Sequence, residues 1–239
     1  MDISNNDIIN DWSSAAAQVI TGFSDDGDFS RLHLLNPALF SLMDDVKGKK
    51  ILDAGCGQGY LCRILAKQGA IVTGIEPAEK LTHYAIEREK EEQLGVDYIV
   101  QDLSLELPFD SKFDIVVSNM VFMDIPNYEI AVRNCIKTLK KDGMFVFSIL
   151  HPCFEESVDW TIKQSVDTKE YFEKYHVKQF IGHFFHRTLS EYVNLVIQEG
   201  CTITKLVEPQ LDKSVALEIK KHERNLHVPS FLIVQAKKL

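Results

Sequence analysis

The sequence predicts an α/β fold, a mostly parallel sheet with helices on both faces. Three observations carry this expectation. From Lys49 onward, short apolar runs alternate with segments of helical periodicity. Three of the chain's twelve glycines, Gly55, Gly57 and Gly59, fall within five residues at the first junction of a strand with a helix. The chain has 239 residues, 45% apolar and 26% charged, and can bury a full core without disulfide or metal staples.

Taken in order, residues 1–48 read as a helical N-terminal arm. Ile8, Ile9 and Trp12 recur at helical spacing, the acidic loop Asp25-Asp26-Gly27-Asp28 follows, and Pro37 opens a helix to about Val46. A single larger domain then spans 49–239. Its strands are expected near 50–54, 71–75, 97–101, 113–118 and 144–150, and its helices near 59–68, 78–93 and 128–140. Gly143 is expected to stop the last of these helices and turn the chain into the fifth strand. Residues 151–186 break the rhythm, and are expected as an insertion above the C-terminal strand ends, where open α/β sheets bind ligands. A helix near 189–199, closed by Gly200, precedes strands near 202–207 and 230–237, which suggest a hairpin-like pair at one sheet edge.

Charge excludes some functions. Twenty-six Lys and Arg against thirty-five Asp and Glu give a net charge of −9, which argues against a dedicated nucleic-acid binder and against an anionic membrane surface. The acidity is uneven: residues 1–48 carry −6 and 49–150 carry −3, while 151–239 are neutral and hold six of the eight histidines. The argument against nucleic acid is therefore weaker on that last face. No stretch approaches the roughly eighteen apolar residues of a membrane span. Five cysteines without CxxC spacing, and acids rather than Lys or Arg in MDISNNDIIN, lead to the expectation of a cytoplasmic chain with free thiols and no metal site.

The glycine-rich turn is the most informative segment. Its pattern is G-x-G-x-G, preceded by Asp53, whereas dinucleotide sites use G-x-G-x-x-G to seat a pyrophosphate. An acid beside the turn repels a pyrophosphate and suits a ligand with an amino group and a sulfonium charge. That favours S-adenosylmethionine (SAM) over NAD. Glu76 ends the second strand, where a carboxylate can bind both hydroxyls of a ribose. Asp102 follows the third strand, within reach of a nucleobase.

With LDAGCGQG at 52–59, GIEP at 74–77, QDLSLELPF at 101–109, FDIVVSNMVF at 113–122 and LKKDGMFVFSI at 139–149, about a hundred residues agree in order and spacing with one family. The chain resembles the class I SAM-dependent methyltransferases, in particular the small-molecule type 11 (UbiE-like) group with an inserted substrate cap. The resemblance implies a Rossmann-like seven-stranded sheet of order 3-2-1-4-5-7-6 with strand 7 antiparallel. It also implies that Gly55, Gly57 and Gly59 cradle the methionyl part of SAM, that Asp53 orients that end, and that Glu76 binds the ribose. Asp102 and Leu103 would meet the adenine, and Asn119 the methionine amine. Glu76 stands where the family more often has Asp.

For the transfer itself, His151 at the end of the fifth strand is the candidate base, because imidazole takes a proton near neutral pH. Its alternatives are a substrate hydrogen bond or a strand-end residue held by backbone. Nine of twenty-three aromatics lie in 151–192, so Trp160, Tyr171, Phe185 and His186 are expected, with His151, to line an acceptor pocket. His183 and His186, three apart, lack an acidic or cysteine companion for a metal. Arg31 reads as a surface residue, with pairing to the SAM carboxylate as the alternative. The expected function is methyl transfer to an N or O atom of a small, aromatic or apolar acceptor. The alternatives are methylation of RNA or protein, and a non-catalytic SAM-binding protein of the same fold.

Overall fold

The computed structural model describes residues 3–154, 160–218 and 220–239. The arm comes first, as α1 (Asn5–Ser14), α2 (Ala16–Gly22) and α3 (Asn36–Met43), the last entered through a π-helical turn at Arg31–Leu35. Ser4 caps α1 reciprocally: its hydroxyl accepts from the Asp7 amide at 3.2 Å, and the Asp7 carboxylate accepts from the Ser4 amide at 2.9 Å. Pro37 sits in the first turn of α3, which stops at Met43, because Asp44 takes a left-handed φ of 54°.

The domain continues with β1 (Lys50–Ala54), α4 (Tyr60–Lys67), β2 (Ile71–Ile75), α5 (Glu79–Glu92), β3 (Asp97–Ile99), β4 (Phe113–Asn119), α6 (Tyr128–Thr138) and β5 (Leu139–Leu150). After the insertion come α8 (Leu189–Gln198), β8 (Cys201–Val207), α9 (Lys213–Glu218) and β9 (Phe231–Lys238), the insertion itself holding α7 (Trp160–Lys163), β6 (His176–Lys178) and β7 (His183–Phe185). The sheet runs β3-β2-β1-β4-β5-β9-β8, parallel through β5, with β9 antiparallel to both of its neighbours. This is the Rossmann-like order that the resemblance implies, with the expected antiparallel pair at one edge. Among the described residues, no helix is long and apolar enough to cross a membrane.

Period-two alternation buries both faces of the sheet. Ile51, Ile115, Val117, Val146 and Ile233 point to one core, filled by α3 and α4 through Leu39, Met43, Leu61 and Leu65. Leu52, Val116, Phe145, Phe147 and Val234 point to the other, filled by α6 and α8 through Val132, Ile136, Leu195 and Val196. A third, smaller cluster joins the arm to α5, where Ala16 and Val19 meet Ala78 and Leu81.

One expectation needs correction. Gly143 does not stop α6. That helix ends at Thr138, β5 starts at once at Leu139, and the ladder shifts register opposite Phe113–Ile115. The left-handed residue is Asp142, with φ 64°. Gly143 instead allows close packing, since a Cβ there would lie 2.9 Å from the Lys140 carbonyl oxygen. His183 opens β7, which pairs with β6 as a hairpin, and His186 follows that strand. Residues 155–159 of the insertion lie outside the described residues.

Candidate functional site

A cavity of about 410 Å³ opens at the C-terminal ends of β1, β2 and β4, beneath the arm. It lies where the strand order reverses between β1 and β4, the usual place for a ligand in an open α/β sheet.

The turn after β1 forms its floor. Gly55 has φ +82°, and a Cβ there would lie 2.5 Å from the Val121 side chain that crosses it. Gly57 has φ +55° and open space where a side chain would stand. Both glycines line the cavity, so the backbone is bare to a ligand. Gly59 does not line it. With φ 82°, Gly59 is the N-terminal cap of α4, and its missing Cβ makes room for the Tyr98 ring.

Two buried carboxyls flank the turn. The Glu76 oxygens accept from the Gly57 amide at 3.0 Å and the Ala78 amide at 2.9 Å. Burial pushes its carboxyl up to about 7, against the pull of those two hydrogen bonds. Asp53 is 1% exposed and accepts from the Cys62 thiol at 3.2 Å. Burial pushes it up to about 7 as well; the thiol bond opposes this, and the neighbouring Glu76 adds to it. Such a site favours a cationic ligand, whose charge would stabilise both carboxylates.

At the opposite end, Asp102 accepts from the Ser104 amide at 2.8 Å and from the arm's Asn5 at 2.6 Å, and Leu103 is buried beside it. Asn119 joins a polar chain. Its amide donates to the Tyr60 hydroxyl at 2.7 Å, its oxygen accepts from Ser148 at 2.6 Å, and Tyr60 donates to Asn36 of the arm at 3.1 Å. Of the eight expected SAM-binding residues, Asp53, Gly55, Gly57, Glu76, Asp102, Leu103 and Asn119 therefore line one cavity.

Ile8, Ile9 and Trp12 of α1 form the roof. Trp12 rests on Gly182 in the β6–β7 turn, where a Cβ would lie 3.0 Å from the indole nitrogen, and Asp11 pairs with Lys178 of the same hairpin. The turn itself sends Phe180 and Ile181 to the cavity. Arg31 also lines it; its guanidinium is bound to Asp28 at 2.9 Å and lies 4.5 Å over the Phe23 ring. Arg31 thus faces the site and not open solvent.

The structure does not bring the expected acceptor residues to this cavity. His151 is 4% exposed, its Nε2 bonded to Glu208 at 2.8 Å and its Nδ1 accepting from the Cys153 amide at 3.2 Å. Both ring nitrogens are engaged at the strand end. Trp160 stacks on His227 at 5.1 Å. His186 stacks on Tyr175 at 4.6 Å and bonds the Tyr171 carbonyl at 2.9 Å, while the Tyr171 hydroxyl accepts from the Leu189 amide at 2.9 Å. Phe185 lies against His176. These side chains pair with one another or with the domain, and none of the five lines the cavity.

Among the polar lining residues that sequence reasoning missed, Asp124 stands apart. Asp124 lines the cavity from the 3-10 turn Phe122–Asp124 after β4; it is 8% exposed, and its Oδ1 is buried without a hydrogen-bond partner among the described residues. Burial pushes its carboxyl up to about 8, against the fields of Arg31 and Arg187. The signal was present as a lone acid in the apolar run Val121-Phe122-Met123-Asp124-Ile125.

Residues 52–147 match the Methyltransf_11 methyltransferase domain family. Over 152 residues, or 62% of its length, the chain is 32% identical to the ubiquinone biosynthesis O-methyltransferase of Coxiella burnetii. It is 36% identical over 132 residues to the enzyme of that name from Chromobacterium violaceum. It spans 61% and 56% of those two relatives. A crystal structure of an S-adenosylmethionine-dependent methyltransferase from Mesorhizobium loti superposes with a TM-score of 0.76 at 25% identity, covering 90% of this chain and all of that one.

Proposed function

We propose that this chain, which carries a class I methyltransferase domain of the type 11 group, transfers a methyl group from SAM to an N or O atom of a small organic acceptor. The observation that supports it most is the pairing of the bare Gly55–Gly57 turn with the buried acids Asp53 and Glu76 around one cavity. Bound SAM supplies an electrophilic methyl group on a sulfonium. Gly55 and Gly57 would lie along its methionyl part, Glu76 would hold the ribose, and Asp102 with Leu103 would hold the adenine. Asp53 and Asn119 would orient the amino-acid end, with Gly59 acting through the start of α4. Hydrogen bonds within the protein hold Glu76 and Asn119 in position before any ligand arrives, so little reorganisation of these side chains is needed.

A small acceptor is favoured by the volume of the cavity and by its apolar roof of Ile8, Ile9 and Trp12, closed by the tip of the hairpin. The curated relatives are named as O-methyltransferases, which favours oxygen as the acceptor atom. The test is to incubate the protein with methyl-labelled SAM and, separately, with small-molecule, RNA and protein fractions of a bacterial extract. Label in the small-molecule fraction is the expected result. Label in RNA or protein would replace the acceptor class, and SAM binding without any transfer would leave a binding protein.

A further inference from the structure

With SAM in the cavity, the buried carboxyl of Asp124 has no assigned task. We propose that the Asp124 carboxylate faces the transferred methyl group and receives the acceptor's nucleophilic N–H or O–H. This inference rests on the function proposed above.

Position is the first support. Asp124 stands on the turn that follows β4, three residues after Val121, whose side chain lies on the bare face of Gly55. Gly55, Gly57 and Asp124 line the same cavity, whose lining also includes the apolar Ile8, Trp12 and Ile125. An acid in such surroundings is costly unless something binds it.

The second support is what Asp124 lacks and what holds it. Among the described residues its Oδ1 has no donor, while every other acid of the cavity accepts at least one hydrogen bond. The turn that carries it is nevertheless fixed. Arg187, 7% exposed, donates to the carbonyls of Phe122 at 3.2 Å, Ile125 at 2.6 Å and Pro126 at 3.0 Å. Arg187 thus spends its donors on the backbone around Asp124 and leaves the carboxyl free, so it is a positioning residue for that acid. The cations that act on the carboxyl are Arg187 and Arg31, and Arg31 is itself bound to Asp28.

The chemistry then balances. The acceptor's lone pair forms the new bond to the methyl carbon, the carbon–sulfur pair returns to sulfur, and the acceptor's proton passes to the Asp124 carboxylate. The sulfonium's positive charge favours the ionised carboxylate before transfer, and its loss favours the protonated form afterwards.

Sinefungin tests this without an acceptor, because it carries a protonated amine where SAM carries the methyl sulfonium. Wild-type protein and Asp124→Asn are titrated calorimetrically with S-adenosylhomocysteine and with sinefungin. Asp124→Asn is expected to bind S-adenosylhomocysteine within about twofold of wild type and to lose about tenfold or more in sinefungin affinity, as expected for losing a hydrogen bond between charged groups. Retained S-adenosylhomocysteine binding shows that the variant folds. Equal losses for both ligands, or no loss for sinefungin, would overturn the placement of Asp124 and leave the proposed function standing. Failure of the wild type to bind S-adenosylhomocysteine would remove both.

Discussion

Arg187 donates through Nη2 to the carbonyl oxygen of Ile125 at 2.6 Å, across 62 positions of the chain. With its bonds to Phe122, Phe185 and Pro126, and with the Tyr128 ring centroid 4.0 Å from its guanidinium carbon, it joins the end of the insertion to the turn after β4. The planar fork spreads its donors over two nitrogens, Nη1 serving Phe122 and Phe185 and Nη2 serving Ile125 and Pro126, whereas an ammonium presents all its donors from one point. Arg187→Met is expected to destabilise the fold by roughly 3 kcal/mol, since buried carbonyls lose their donors. Arg187→Lys should recover only part of that. Urea unfolding measures both, and an Arg187→Met midpoint equal to wild type would contradict the clamp.

The glycines of the turn are expected to differ in tolerance. At Gly57 a Cβ meets open space, so Gly57→Ala pays only for its left-handed φ, about 1–2 kcal/mol. At Gly55 the same backbone penalty adds to a clash with Val121, for a total of about 3 kcal/mol or more. Thermal melts of both variants check the order, and Val121→Ala should relieve Gly55→Ala but not Gly57→Ala.

Glu76→Gln keeps the shape of the side chain but turns one acceptor into a donor facing an amide, at Gly57 or at Ala78. Hydrogen bonds to a charged group contribute about 1.5–3 kcal/mol, so S-adenosylhomocysteine affinity should fall roughly ten- to a hundredfold. An unchanged affinity would remove Glu76 from the ribose site.

Asp124 sets a pH dependence in the ligand-free protein. Burial pushes its carboxyl from the ordinary 3.8 up to about 8 in the folded state. The folded state therefore holds a proton that the unfolded state releases, and stability falls as pH rises from about 4 to about 8. Asp124→Asn removes that contribution. The melting temperature of wild type should fall more steeply than that of Asp124→Asn between pH 5 and 8, and parallel curves would show that Asp124 is not held in its neutral form.

The parts of the fold and site that were legible in the sequence rest on local, periodic or backbone-imposed features. Ile51 and Leu52 alternate between two cores because a strand has period two. Gly55 and Gly57 are marked by a conformation that few other residues accept, and Glu76 by its place at a strand end. The acceptor side was not legible, because it depends on which long-range contacts saturate each polar group. His151 reads from the sequence as a candidate base at the end of β5, yet Glu208, 57 residues on, takes its Nε2. The aromatics of the insertion were counted as a pocket, but Tyr175 and His186 satisfy one another. The roof comes from the arm, whose Trp12 meets Gly182 of the distant hairpin. Gly143 misled for a local reason: the positive φ falls one residue earlier, on Asp142.

The central claim is that the cavity beneath the arm is built for SAM and not for a dinucleotide. Isothermal calorimetry of the wild-type chain with S-adenosylhomocysteine and with NAD tests it most directly. One-to-one binding of S-adenosylhomocysteine, weakened in Glu76→Gln, with no heat from NAD, is the predicted result. Binding of NAD in preference, or no binding of S-adenosylhomocysteine, would contradict it.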